Sequence, residues 1–273
     1  MKNIYTRTLT GIVFLITVIG SILLDPLAFF LVFAVFNFIG LKEFLKLANL
    51  SSSVTISGKA LEYYIFGMII YAIVGLSGLG YIDVRYSSII FLIFFIQIAI
   101  ELFRKENPSW RNIVIMLTGY IYISVPFGLM SSLFYFGAVP EPRIGILIGM
   151  FVLVWTSDIF AYLVGSIFGK HKLMERISPK KTWEGSIGGL VFAVGAAYIL
   201  SIFVDQLTLV EWMILTLVIV ISGTLGDLSE SLLKRNAGVK DSGTIFPGHG
   251  GVLDRFDAVI FATPMVFLFI NLL

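Results

Sequence analysis

The sequence contains no cysteine and only two histidines, His171 and His249. The absence of cysteine excludes disulfides, thiolate zinc sites and cysteine nucleophiles. With so little histidine, a metal ion would have to be held mainly by oxygen atoms, which favours Mg²⁺, Mn²⁺ or Ca²⁺ over zinc. Any metal chemistry in this chain is therefore expected to rely on carboxylates.

Charged residues are also scarce, at 13% of the 273 residues, whereas soluble domains usually carry about 25%. Hydrophobic residues make up 58%, and apolar runs near the ~20 residues that cross a bilayer recur along the chain. These features predict an all-α polytopic membrane protein of about nine transmembrane helices. We place the spans near residues 9–24, 26–46, 61–80, 86–103, 113–137, 144–168, 186–204, 211–233 and 258–273.

The basic residues are distributed unevenly between the loops. Of the 19 Lys and Arg residues, all but Arg85 and Arg143 fall on the side of the N-terminus. Cytoplasmic loops are enriched in Lys and Arg, so this split predicts a cytoplasmic N-terminus and, with an odd number of spans, an external C-terminus. The net charge of +2 gives no sign of a nucleic-acid partner.

Two acidic residues, Asp158 and Asp227, fall inside apolar spans. A carboxylate in a membrane is costly and usually faces a cavity or a partner, although a structural ion pair or a protonated packing residue is the alternative. In a helix, Asp227, Glu230, Ser231 and Lys234 form one polar stripe. Such a stripe needs a wet or charged neighbour, unless Lys234 only snorkels among local partners.

The glycine-rich segment 240–257, KDSGTIFPGHGGVLDRFD, excludes a continuous helix. A helix that starts near Leu253 would offer its N-terminal N–H groups to an anion and would carry Asp254 and Asp257 on one face. Carboxylates beside Lys and Arg suit a site for magnesium and phosphate, although acidic and basic residues at a loop end are often merely solvated.

The two cytoplasmic loops richest in basic residues are 169–185 and 234–257. The first of them has the sequence GKHKLMERISPKKTWEG. It could bind phosphates or rest on anionic lipid headgroups. It contains no phosphate-binding P-loop motif. The glycine pairs Gly165/Gly169 and Gly185/Gly189 are typical of close helix packing in membranes.

The segment from Ser231 to Asp257 resembles the signature of the phosphatidate cytidylyltransferase (CDP-diacylglycerol synthase) family, with no departure. The positions that carry the resemblance are Ser231, Lys234, Arg235, Lys240, Asp241, His249, Gly250, Gly251, Asp254, Arg255 and Asp257. The upstream stretches 157–162 and 178–185 also resemble that family. The specific similarity covers residues 155–257, and residues 1–150 match only as membrane helices.

The resemblance implies transfer of CMP from CTP to phosphatidic acid, which gives CDP-diacylglycerol and pyrophosphate for phospholipid biosynthesis. It implies Mg²⁺, with a second cation left open, and a multi-pass location in the inner cell membrane with the active site facing the cytoplasm. A homodimer is left open. Residues 1–150 would form a membrane scaffold, and residues 151–273 would form the catalytic region.

The resemblance also implies roles for particular residues. The expected catalytic residues are Asp227, Lys234, Arg235, Lys240, Asp241, Asp254, Arg255 and Asp257. The expected substrate-binding residues are Asp158, Ser178, Lys180, Lys181, Thr182, Ser231, His249, Gly250 and Gly251. The expected metal ligands are Asp227, Asp254 and Asp257, with Asp227 within about 8 Å of one of the other two, since a shared ion has bonds of ~2.1 Å.

Two alternative functions remain at this point. The first is a transporter or channel that uses Asp158 and Asp227 to couple ions, which leaves the glycine-rich segment unexplained. The second is a cytidylyltransferase that acts on another lipid phosphate, such as an isoprenoid one.

The charge distribution generates a prediction about topology. Reporter proteins fused to the two ends should report opposite sides of the membrane, with the N-terminal reporter in the cytoplasm, because the basic loops are retained there. Reporters on the same side would show that the number of spans is even.

Overall fold

The computed structural model describes residues 2–51, 60–105, 108–135 and 141–273. Within them the chain forms ten α-helices and one short hairpin. The helices are α1 Lys2–Leu24, α2 Pro26–Ser51, α3 Ala60–Gly78, α4 Ile89–Leu102, α5 Trp110–Gly119, α6 Val125–Ser132, α7 Ile144–Phe168, α8 Trp183–Phe203, α9 Leu209–Asn236 and α10 Leu253–Asn271. The strands are β1 Lys172–Met174 and β2 Ser178–Thr182.

The helices confirm the predicted all-α polytopic architecture. In the described part of the chain, eight helical stretches are long and apolar enough to cross a membrane, one of them formed by α5 and α6 through a π-helical turn at Tyr120–Ser124. The ninth predicted span corresponds to α10, whose first turns carry Asp254, Arg255 and Asp257. The orientation of the termini stays a prediction. Lys59 and the predicted end of the fifth span at 136–137 lie outside the described residues.

Apolar side chains cover the outer surface of several helices. Phe91 is 72% exposed and Ile121 is 69% exposed. Water would disfavour so much exposed apolar surface, whereas lipid chains accommodate it. The chain is therefore a multi-pass membrane protein whose exposed helix faces suit a bilayer.

The chain divides into two compact units. Unit 1 comprises Met1–Ser132 and Asn236–Arg255, and unit 2 comprises Leu133–Arg235 and Phe256–Leu273. Residues 240–255 of the glycine-rich segment thus belong to unit 1 together with the first helices, whereas Phe256 and Asp257 belong to unit 2. The predicted division of roles at residue 150 stays a prediction.

Unit 1 is built around α2, which is buried along much of its length. Its aromatic side chains fill the core, where the Phe33 ring meets the Phe127 ring edge-on at 5.7 Å between centroids. The Tyr71 hydroxyl of α3 donates a 2.6 Å hydrogen bond to the Phe30 carbonyl. Aromatic packing and one satisfied hydroxyl thus attach α3 to α2.

In unit 2, α7 and α8 pack closely through small residues. A β-carbon added at Gly189 would lie 2.6 Å from the Ser157 carbonyl oxygen, and one at Gly185 would lie 3.1 Å from the Gly165 Cα. These contacts confirm the predicted packing role of Gly165, Gly185 and Gly189, because close backbone approach is what such residues permit. Gly169 lies beyond the end of α7.

The basic segment 169–185 is an antiparallel hairpin followed by the first turn of α8. Lys172 pairs with Thr182 and Met174 pairs with Ser178. The Glu184 carboxylate accepts hydrogen bonds from the backbone N–H groups of Lys170 (3.1 Å) and His171 (3.2 Å). A carboxylate at the start of α8 therefore fixes the entry to the hairpin.

The α7–α8 contact predicts a difference between two glycines of α8. Gly189→Ala should lower the free energy of unfolding by about 1–3 kcal/mol, since its methyl group meets the backbone of Ser157. Gly195→Ala is the control, because a β-carbon there would meet open space beyond its own helix backbone in the described part of the chain. It should be neutral or stabilising, since alanine favours a helix interior. Thermal denaturation in detergent measures both, and equal loss in the two variants would contradict the close contact.

Candidate functional site

Three carboxylates of unit 2 lie close enough to interact. They belong to Asp158 on α7, Asp227 on α9 and Asp257 on α10, and Asp257 interacts electrostatically with the other two and with Lys234. Gly226 makes this arrangement possible, because a side chain at that position would collide with the backbone carbonyl of Asp257. The structure therefore brings Asp227 and Asp257 together, as the sequence predicted, and adds Asp158.

Two lysines accompany these acids. Lys181 of β2 forms an ion pair with Asp227, and Lys234 forms one with the buried Glu230 one turn before it on α9. The Ser231 hydroxyl donates to Asp227 Oδ1 at 3.2 Å. The polar stripe predicted on α9 is confirmed. The group that faces it is a charged side chain, Lys181, which pairs with Asp227.

The other predicted site residues of unit 2 lie at the end of α9 and on the hairpin strand β2. The Arg235 side chain donates through Nε to the Ile177 carbonyl at 3.4 Å. Thr182 is buried, and its hydroxyl caps α8 by accepting a 3.2 Å hydrogen bond from the Gly185 N–H. Ser178 begins β2, and Lys180 is exposed on the same strand. Their predicted contact with substrate stays a prediction.

In unit 1, Asp254 holds the glycine-rich segment together. Its Oδ2 atom accepts hydrogen bonds of 2.8 Å from the Ser242 N–H, the Ser242 hydroxyl and the Gly251 N–H. Gly250 stands in the turn between them with a φ of 89°, a conformation that favours glycine. This oxygen thus has a loop-holding role within unit 1. Its predicted part in a metal site with Asp227 and Asp257 stays a prediction.

The buried carboxylate of Glu43, on α2, is the residue that sequence reasoning missed. Glu43 Oε1 accepts from the Val252 N–H at 3.1 Å, and Oε2 accepts from the Leu253 N–H at 3.0 Å and from the Ser242 hydroxyl at 3.0 Å. The start of α10 binds an anion as expected, but the anion is the protein's own carboxylate. The sequence feature that could have indicated a role for Glu43 is its position inside the predicted apolar span 26–46.

The helix start near Leu253 that the sequence predicted is confirmed, and this contact explains why α10 begins there, five residues before the apolar span expected from 258. The first N–H groups of a helix need acceptors, and Glu43 provides one at Leu253. A negative charge at that end also interacts favourably with the helix dipole. Gly243 and Gly251 allow the approach, since a β-carbon at either position would collide with the Glu43 carboxylate.

A polar cavity of about 320 Å³ lies in unit 1 against the glycine-rich segment. Its lining includes Lys240, Asp241, His249 and Arg255, all predicted site residues, and Arg7 of α1, which was not predicted to be functional. Partial burial, and then the charges of Arg255 and Arg7, lower the pKa of His249 below its ordinary value. The cavity is therefore a positively charged pocket beside a neutral histidine.

A second cavity of unit 1, of about 650 Å³, is amphipathic. The Gly243–Thr244 stretch lines both cavities. The larger one is lined by apolar side chains such as Phe38 and Ile39 and by the exposed lysines Lys42 and Lys46. It combines apolar surface with positive charge.

The acids of unit 2 fit a metal ion by the chemistry of their donor atoms. Across residues 2–51, 60–105, 108–135 and 141–273, no three His, Asp or Glu side chains form a ready-made metal site. The donors themselves suit Mg²⁺, since Asp158, Asp227 and Asp257 offer hard oxygen atoms. Their mutual repulsion is also of the kind that a divalent cation would relieve.

The fold and these clusters define a class: a multi-pass helical membrane protein with carboxylates and cations arranged for phosphate chemistry. The sequence model of the cytidylyltransferase family matches residues 5–273. The chain is 35% identical to a phosphatidate cytidylyltransferase of Staphylococcus saprophyticus over 95% of this chain and 96% of that protein. It is 34% and 35% identical to the enzymes so named of Staphylococcus haemolyticus and Staphylococcus aureus, with the same coverage.

The chain therefore belongs to the cytidylyltransferase family. The similarity extends from residue 5 to residue 273, so the limit of residues 155–257 expected from the motifs was too narrow. Membership of a transferase family also leaves no support for the transporter or channel alternative. The first helices, which contain Arg7 and Glu43, are included in the match.

The contacts of Glu43 generate a stability prediction. Glu43→Gln should lower the free energy of unfolding by roughly 2 kcal/mol, because an amide N–H₂ would face an N–H donor and hydrogen bonds to a charged acceptor are the stronger ones. Glu175→Gln is the control, since this exposed carboxylate has no hydrogen bond or ion pair in the described part of the chain. Thermal denaturation in detergent compares the two. Equal stability would show that the two Glu43 oxygens are not both needed as acceptors.

Proposed function

We propose that this protein transfers CMP from CTP to phosphatidic acid, giving CDP-diacylglycerol and pyrophosphate. The observation that carries the proposal is the group of three interacting carboxylates and two lysines in unit 2. The name of the relatives, phosphatidate cytidylyltransferase, supports the choice of substrates. The location would be the inner cell membrane, with the site facing the cytoplasm, where CTP is available.

The reaction requires no nucleophile from the protein. An oxygen atom of the lipid phosphate forms a bond to the α-phosphorus of CTP, while the bond from that phosphorus to the bridging oxygen breaks and pyrophosphate leaves. Both substrates are polyanions that repel each other. The protein must therefore hold and align them and neutralise their charge.

Asp227 and Asp257 would hold Mg²⁺, with Asp158 close by. When bound, the ion would neutralise charge on the phosphate oxygens. Lys181 is held by its ion pair with Asp227, so its ammonium group occupies a fixed position beside the acids. Lys234 is fixed in the same way by Glu230. Fixed cations stabilise the charge that develops during phosphoryl transfer without having to reorganise.

The glycine-rich segment would supply further cations for phosphate. Lys240 and Arg255 line the polar cavity of unit 1 with His249 and Asp241. Arg255 presents a planar guanidinium that can bind two phosphate oxygens at once, whereas Lys240 acts as a compact point charge. The amphipathic cavity with Lys42 and Lys46 supports a phospholipid as the second substrate.

Radiolabelled CTP tests this proposal directly. Purified protein in detergent should produce a labelled lipid from phosphatidic acid when Mg²⁺ is present, and an isoprenoid phosphate tested in parallel should give none. Asp227→Asn and Asp257→Asn should each lower the rate by at least about 100-fold, since loss of a single group that stabilises transition-state charge costs about that much.

Asp205→Asn is the matched control for those variants. Asp205 also lies in unit 2, is exposed, and has no hydrogen bond or ion pair in the described residues, so its rate should match that of the wild type. Absence of labelled lipid for the wild type under a range of divalent metals would refute the proposed reaction. Full activity of the Asp227 and Asp257 variants would refute their roles.

A further inference from the structure

One face of α1 lies against the glycine-rich segment. The Thr10 hydroxyl, which donates to the Thr6 carbonyl at 2.7 Å, also lies 3.4 Å from the Pro247 carbonyl oxygen. The Phe14 ring meets the Phe246 ring edge-on, with 5.5 Å between centroids. A β-carbon at Gly11 would lie 3.8 Å from the His249 ring. The positions 7, 10, 11 and 14 share one helical face, so this docking directs Arg7 to the same segment.

Arg7 itself packs against the turn at Gly248. This glycine has a φ of 80°, and a β-carbon there would collide with the side-chain stem of Arg7. Stem packing of this kind fixes the direction of a long side chain while leaving its charged end accessible. Arg7 is thereby held at the wall of the polar cavity.

The charges around this cavity are unbalanced. Arg7, Lys240 and Arg255 line it, and in the described parts of the chain none of the three forms a salt bridge. Of the described residues, Asp241 is the single carboxylate in the lining. Among the described residues, Arg255 Nε and His249 Nδ1 are buried polar atoms with no hydrogen-bond partner. Such unsatisfied groups are costly unless something binds them.

We propose that this cavity binds the pyrophosphate moiety of the nucleotide, first as the β- and γ-phosphates of CTP and then as the product, and that Arg7 is one of its binding residues. The inference rests on the proposed function and extends it to the first helix of the chain. Arg7 would act beside Arg255 and Lys240, which makes the cavity a three-cation site for a polyphosphate.

The shape and lining of the cavity favour a polyphosphate over a lipid phosphate. Its volume of about 320 Å³ is enclosed mainly by polar and glycine residues, with Phe246 and Pro247 as the apolar exceptions. It offers little surface for acyl chains, which the larger amphipathic cavity does offer. Three cations around a small space also match the several charges of pyrophosphate better than those of one phosphate monoester.

The first test measures binding without any turnover. Inorganic pyrophosphate should raise the thermal denaturation temperature of the full-length protein in detergent, because a ligand that binds the native state stabilises it. Arg7→Gln should weaken this stabilisation, with an apparent Kd about tenfold higher or more, since it loses a charge-assisted contact. Arg111→Gln removes an equal charge from a position outside the cavity and should bind pyrophosphate as the wild type does.

The second test uses kinetics to decide whether the cavity binds the phosphates of the nucleotide or the phosphate of the lipid. Arg7→Gln should raise the KM for CTP and weaken product inhibition by pyrophosphate, while the KM for phosphatidic acid stays unchanged. A rise confined to the KM for phosphatidic acid would overturn the proposal in favour of a lipid-phosphate site. Unchanged pyrophosphate binding in a folded Arg7→Gln protein would also overturn it.

Arg7→Lys separates a binding role from a folding role. It keeps the charge and most of the stem, so it should fold, yet it should recover only part of the pyrophosphate affinity because it cannot bind bidentately. Full recovery of the affinity by lysine would contradict bidentate binding by Arg7.

The two proposals can fail separately. If the wild type binds pyrophosphate with this Arg7 dependence but transfers no CMP, the proposed reaction fails while the anion site stands. If it transfers CMP without that dependence, the anion site alone fails.

Discussion

The buried carboxylate of Glu43 is the contact on which unit 1 depends. Its two oxygens accept the N–H groups of Val252 and Leu253 and the Ser242 hydroxyl, so one side chain of α2 fixes both ends of the turn that leads into α10. A carboxylate is expensive to bury. Two backbone N–H donors, the Ser242 hydroxyl that Glu43 shares with Asp254 and the dipole of α10 offset that cost. The glycine-rich segment has its shape because its backbone satisfies this charge.

Ser242 extends the same constraint to Asp254. Its hydroxyl lies 3.0 Å from Glu43 Oε2 and 2.8 Å from Asp254 Oδ2, but it has only one proton to donate at a time. The backbone N–H groups of Ser242 and Gly251 supply the remaining donors to Asp254. Glu43 and Asp254 are therefore satisfied inside the protein, while Lys240, Arg255 and Asp241 line the cavity. A motif that contains both signs of charge thus presents mainly positive charge to a ligand.

The sequence predicted the helices well because apolar length is a strong signal, and it predicted the α9 stripe because helical spacing is regular. It also predicted that Asp227 and Asp257 would meet. It could not predict the partner of the α10 N-terminus, because Glu43 lies about 200 residues earlier and long-range contacts leave no local pattern. The contact of Arg7 with the glycine-rich segment could not be predicted for a related reason. A basic residue at the start of a first span already has an explanation in membrane topology, so its contact with Gly248 required the structure.

The two kinds of charged cluster also differ in what they require from a ligand. In unit 2, Lys181 and Lys234 are already paired with Asp227 and Glu230, so both of these cations have a carboxylate partner before any substrate binds. In the polar cavity of unit 1, the cations have no carboxylate partner within salt-bridge distance among the described residues, and their mutual repulsion persists until an anion arrives. Binding of a polyanion therefore removes a strain that the free protein carries. It follows that an anion should stabilise the cavity more than it stabilises a cluster whose cations are already paired, because in the cavity the anion does not compete with an existing carboxylate partner.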